Sequence, residues 1–284
     1  GTTVNGGTLN IATIQAIAGG VSGLGTSTSA NVVTVNNGAV LTGTANNWLS
    51  NTSASSGGAN AHTLIVNTGG KVTNGPGVIT GLGNTTLNGG TLELNTGFAS
   101  GWNGAYTLMG DITVGGSTPS AITTKAGAGA AANLQMSNGS NGVGGTRTLT
   151  VADVTGSSDS DLVVSGQIIS GTLVKAGPGT VELALGAVGS SVAVNWRLDS
   201  GTLKTTSNNV VGGSANITGT STSTTFDLGG TTQAVGSLGV AGAGNGYRGS
   251  IVNGTIDLNG HNAYLQNGTF TMNLTGGGGS RLWI

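Results

Sequence analysis

The chain has 284 residues, including 57 Gly, 8 Lys plus Arg, 9 Asp plus Glu and no Cys, with a net charge of −1. So few charges, against about a quarter of residues in an ordinary soluble domain, exclude a nucleic-acid partner, which needs clustered Lys and Arg, and the missing Cys excludes a disulfide framework. Collagen is excluded by the absence of a strict Gly-X-Y repeat and by only 3 Pro, and intrinsic disorder by the regularly spaced apolar residues that make up 36% of the chain.

Taken in chain order, one phrase recurs: Gly, Thr, then an apolar–any–apolar triplet. It stands in the opening residues as Gly7-Thr8-Leu9-Asn10-Ile11. Related forms follow at Val33-Thr34-Val35-Asn36 and Leu64-Ile65-Val66-Asn67, and the full phrase returns at Gly90-Thr91-Leu92-Glu93-Leu94. The segment Ala126 to Leu134 is the best helical candidate but is short and rich in Gly and Ala, and it reads as a loop. Beyond it come Gly171-Thr172-Leu173-Val174, Gly201-Thr202-Leu203-Lys204, Gly254-Thr255-Ile256-Asp257-Leu258 and Gly268-Thr269-Phe270-Thr271-Met272. The chain closes on the apolar, strand-like Arg281-Leu282-Trp283-Ile284.

Each phrase has the period-two alternation of a strand. Thr, Val and Ile suit a pleated surface, and the Asn-Gly, Gly-Gly and Thr-Gly pairs between phrases supply the positive φ of tight turns. Repetition from end to end, a scarcity of aromatics and Asn set repeatedly beside the turn Gly favour a solenoid over a sandwich or barrel. Stacked coils would align those Asn into amide ladders. Coils of about 20 to 25 residues give roughly a dozen coils. No apolar run of about 18 residues predicts a membrane-spanning helix. There is no signal peptide, and a chain that opens and closes in repeat reads as a processed product or an excised segment.

Residues 149 to 240 resemble a known family. Gly171-Thr172-Leu173-Val174-Lys175-Ala176-Gly177-Pro178-Gly179-Thr180-Val181-Glu182-Leu183 resembles the passenger-associated transport repeat of bacterial autotransporter passenger domains, and Asp199-Ser200-Gly201-Thr202-Leu203 resembles its closing phrase. Leu149 to Asp153, Asp161 to Gly166 and Phe226 to Leu238 are similar to other passenger coils. Ala184 to Trp196 departs from the family's usual turn, and the membrane barrel that follows such passengers is not in the sequence. The resemblance implies a right-handed parallel β-helix and export to the cell surface, without implying one secretion route.

Little in the sequence points to chemistry. The only local carboxylate cluster is Asp153, Asp159 and Asp161, which reads as a solvated turn before it reads as a weak calcium site. The two histidines, His62 and His261, are too few for a zinc site without carboxylate help, and both read as surface or turn residues. No nucleophile elbow supports a Ser-His-Asp triad. Lys175 and Glu182 are spaced to pair across neighbouring strands. Trp48, Trp102, Trp196, Trp283, Tyr106, Tyr247 and Tyr264 suit packing at loop bases and solenoid ends better than sugar stacking. The sequons at Asn51, Asn84, Asn138, Asn216, Asn253, Asn267 and Asn273 are expected by chance in such a composition.

The expected molecule is therefore one all-β domain over 1–284, a right-handed parallel β-helix, secreted or on a bacterial surface. It is expected to have no catalytic, cofactor or metal residues. Its expected role is structural, as a filament or fibre subunit that associates end to end or with flanking coils of a longer chain. An adhesin for surface glycans or matrix is the alternative, and a β-helix polysaccharide lyase or hydrolase the weakest of the three.

Overall fold

In the computed structural model the described residues are 1–12, 21–26, 29–50, 61–96, 105–129, 132–136, 144–184, 194–240 and 246–284. They form strands and no helix, so none of them forms a helix able to cross a membrane. The strands lie on three faces. The first face stacks Thr2–Val4, Val32–Val35, Thr63–Asn67, Thr85–Asn88, Ile112–Val114, Thr146–Val151, Thr172–Ala176, Asn195–Leu198, Asn216–Gly219, Ser237–Leu238, Asn262–Tyr264 and Arg281–Trp283. The second runs Gly7–Ile11, Ala39–Gly43, Lys71–Asn74, Thr91–Leu94, Ser120–Thr124, Leu162–Val164, Thr180–Leu183, Gly201–Thr205, Thr224–Asp227 and Ser250–Asp257, with Phe270–Thr275 beside the last. A shorter third face holds Thr80–Leu82, Tyr106–Leu108, Asn133–Met136 and Gln167–Ile169.

Stacking order equals chain order on the first face, and every pair there is parallel. Parallel neighbours need a crossover, and here the crossover is the passage over the other faces. The fold is thus a parallel β-helix. Toward the far end a single strand turns a corner. Ser250–Asp257 pairs with Thr224–Asp227 through Ser250 to Val252, then with Thr232–Ala234 through Thr255 to Asp257. The bend sits at Asn253, whose φ of 61° is left-handed, a conformation Asn tolerates better than most residues.

The expected coil length holds for part of the chain. Leu64 lies beside Thr85 and Ala263 beside Leu282, giving turns of 21 and 19 residues. Ile112 lies beside Leu149, a turn of 37, because this coil carries an insertion outside the first two faces. The segment read as a loop is a turn at Lys125 to Ala128, where the Ala128 amide donates to the Lys125 carbonyl at 3.0 Å. Its last residues, however, begin the third-face strand Asn133–Met136.

Inward residues form files along the axis. Val4, Val35, Val66, Leu87, Val114 and Val151 follow one another in register, each nearly sealed from solvent. Sealing a Val or Leu side chain contributes about 1.5–3 kcal/mol, and a file repeats that gain coil after coil. The core also takes large aromatics: Trp48, Tyr106, Tyr247 and Phe226 are fully buried. A missing side chain makes the room for two of them. A Cβ on Gly43 would run into the Trp48 ring, and one on Gly219 would lie 2.9 Å from the Tyr247 ring.

Candidate functional site

The first face carries the most regular surface. Its outward file reads Thr3, Thr34, Ile65, Thr86, Thr113 and Thr150 in register. Two residues along the strands runs the expected amide ladder. Asn36 Nδ2 donates to Asn5 Oδ1 at 2.7 Å, Asn67 Nδ2 to Asn36 Oδ1 at 2.7 Å, and Asn88 Nδ2 to Asn67 Oδ1 at 3.0 Å. Each amide satisfies the next, so these side chains are held in one orientation at the strand spacing of about 4.8 Å. Chemically this strip is uncharged, flat and rich in methyl, hydroxyl and amide groups. The second face carries charges in register: Glu182, Lys204 and Asp227 are neighbours, and Lys71 approaches Glu93 at 3.4 Å, whereas the first face's Arg147, Arg197 and Arg281 stand apart from this strip.

The residues that carry the family resemblance meet at one corner. Period two puts Lys175 on the side of Leu173, and its register partners are Leu149 and Leu198, so it points into an aliphatic file. It is fully buried. Its Nζ turns to the corner and donates to the carbonyls of Ala176 at 3.1 Å, Gly177 at 2.8 Å and Ser200 at 3.0 Å. Gly201 must lack a side chain here, since a Cβ would lie 2.6 Å from Nζ. Burial pushes the ammonium down to about 8, desolvation outweighing the attraction of Asp161. The expected pairing with Glu182 is corrected. Glu182 faces outward and accepts from Ser160 Oγ, because the two residues lie on opposite sides of their sheets.

Asp161 is the second anchor of this corner. It too is fully buried, contrary to the solvated reading of its cluster. Oδ1 accepts from the amides of Val154 at 2.8 Å and Thr155 at 2.9 Å, and Oδ2 from Thr180 at 2.7 Å. A carboxylate that accepts main-chain bonds from two coils ties them together. Asp153 accepts from the Gly156 amide and Asp159 from Ser157 Oγ, at 2.8 and 3.0 Å, so the three carboxylates do not converge. Among the described residues no group of His, Asp and Glu is arranged to hold a metal ion.

His261 lies exposed at a turn, its amide donating to Leu258 O at 2.7 Å. His62 was expected at the surface and is instead fully buried. Its Nε2 lies 2.7 Å from Ser22 Oγ, and its amide donates to Ser50 Oγ at 2.9 Å. Burial holds its pKa below the ordinary histidine value. Nothing in the sequence brings Ser22 and His62 together, since only the coil stacking closes the gap.

Among the aromatics, Trp48, Trp196, Tyr106 and Tyr247 are core residues. Tyr264 and Trp283 stack at the last coil with centroids 6.1 Å apart. An apolar crevice of about 10 Å³, room for about one water, is lined by Val164, Leu183, Trp196, Val210 and Val211 among others. Trp102 and the sequons at Asn51 and Asn138 lie outside the described residues. Compared with family models, curated proteins and solved structures, the chain gives no significant match to any.

Proposed function

We propose that this chain is a structural rod of an extracellular or bacterial surface assembly, with end coils that take a further coil of the same kind. The observation that carries the reading is the contrast between inner and end coils. Leu41, Val72, Leu92, Leu203, Phe226 and Ile251 are fully sealed along the second face. Their file neighbours at the ends, Leu9 and Phe270, and Ile11 and Met272 on the same end strands, are only partly covered. On the first face Leu282 and Ile284 remain 47% and 95% exposed. Each end coil also presents an open strand edge, which templates pairing. Another coil, from a second copy or from elsewhere in a longer polypeptide, would cover both. Head-to-tail contact of copies does not close and grows a filament. The reading assigns the chain no catalytic centre.

Light scattering and electron microscopy on the purified chain test it. Concentration-dependent rods are expected, and they should shorten when Leu282→Lys and Ile284→Lys place charges on the open edge. A monodisperse monomer at high concentration would remove the assembly reading.

A second reading, an adhesin for neutral glycans, is favoured by the uncharged Thr and Asn strip of the first face. Pull-down on insoluble polysaccharides separates the two. Thr34→Lys with Thr113→Lys should abolish retention and leave rod formation intact if the strip is a binding face.

A further inference from the structure

Val21–Ser22 and Gly25–Thr26 form the one antiparallel strand pair among the described strands, a small hairpin inserted between the first and second coils. The hairpin meets the solenoid at a buried polar contact. Ser22 Oγ lies 2.7 Å from His62 Nε2 and accepts the Leu24 amide at 3.1 Å. Oγ has two lone pairs and one proton, so with the Leu24 amide bound it can still donate to Nε2 or accept from it, according to the imidazole tautomer. The Asn31 main chain acts on the ring and raises its pKa, but desolvation by burial outweighs it. The groups packed on the ring's residue are Ser22, Ser50, Ala61 and Gly83, all uncharged. Among the described residues no carboxylate acts on the ring.

We infer that Ser22 and His62 form an acid-released latch that holds the hairpin on the solenoid at neutral pH. Taking up a proton makes both ring nitrogens donors and leaves a cation buried with no counter-charge among the described residues. Undocking returns that cation to water. The depressed pKa of the docked ring sets the sign. The undocked ring, near 6.5, binds the proton more readily, so docking is complete above that value and weakens as pH falls through it. Below 6.5 and above the docked pKa, the docking equilibrium falls about tenfold per pH unit.

Hydrogen exchange from pH 7.5 to 5.5 tests the latch, because the chain has only 2 His and the other, His261, is an exposed control. After correction for intrinsic rates, the Leu24 and His62 amides should lose protection toward pH 5.5. The loss should persist in His261→Asn and vanish in His62→Asn. Protection that stays constant across the range in the unaltered chain, or a loss that survives His62→Asn, overturns the proposal. Direct titration of the His62 ring gives a second reading that needs no variant. A midpoint below the ordinary histidine value of 6.5 is expected, and one at or above it is fatal.

Discussion

At the scale of single residues, the corner around Lys175 shows how a buried charge can be tolerated. Three carbonyl acceptors replace the water that Nζ loses, yet desolvation still dominates and lowers its pKa to about 8. Lys175→Met would keep the volume and leave those carbonyls unpaired, each a cost of about 1–3 kcal/mol where no water reaches. We expect a net loss of about 1–3 kcal/mol at pH 7, read from chemical denaturation. The pH dependence has a definite sign. Between about 8 and 10 the unfolded chain holds the Lys175 proton while the folded chain sheds it, so stability rises with pH. Above 10 the raised pKa values of Tyr106 and Tyr247 act in the opposite direction. The rise between 8 and 10 should be present in the unaltered chain and absent in Lys175→Met.

Gly43 tests the fit of an aromatic into the bore. With the Trp48 ring where a Cβ would stand, Gly43→Ala must displace either the indole or the strand. Overpacking of this kind costs about 1–3 kcal/mol. Thermal melting should show a lower midpoint, and Trp fluorescence a shifted maximum as the indole moves toward water.

At the scale of elements, stability rests on files rather than on individual strands. Most described strands span 3 to 5 residues, too short to hold alone, and each is fixed by the coil above and the coil below. The Asn ladder makes this visible. Asn67 both accepts from Asn88 and donates to Asn36, so Asn67→Ala breaks two bonds and strands one partner on each side. The loss expected is about 1 kcal/mol, since these groups are partly exposed and water replaces some of what is lost. Asn5→Ala, at the end of the ladder, breaks only one bond and should cost about half as much. Denaturation midpoints of the two variants make the comparison. Equal losses would mean that the rungs do not act as a chain.

At the scale of the whole molecule, strand pairing joins neighbouring coils, as in other solenoids, while side-chain contacts such as Thr68 Oγ1 to Thr118 Oγ1 at 3.1 Å reach one coil further. The first face stacks 12 strands, which at about 4.8 Å per coil makes a rod of about 55 Å. Such a body should open from its ends. Hydrogen exchange is expected to be fastest in Thr2–Val4 and Arg281–Trp283, each paired on one side, and slowest in central strands such as Ile112–Val114 and Thr146–Val151. Uniform exchange along the rod would argue for a single cooperative unit instead.

The period-two pattern, the Gly-bounded turns and the recurring Gly-Thr phrase were enough to specify short strands, an all-β solenoid and an Asn ladder. These are local properties, set by which side chains alternate and where φ must be positive. For Lys175 the spacing suggests only a pairing with Glu182, and the stacking of coils is what sets it inward between Leu149 and Leu198. Its acceptors were not legible, because Ser200 reaches it only through the stacking of the next coil. Tertiary structure alone decided the rest. It buried His62 against Ser22, 40 residues away in the chain, and drew Asp161 out of a surface cluster to join two coils. It also admitted Trp48 and Tyr247 to the bore. The reason is the same each time: coils of 19 to 37 residues bring together groups whose spacing in the sequence varies with every inserted loop, so no fixed interval in the sequence marks them as neighbours.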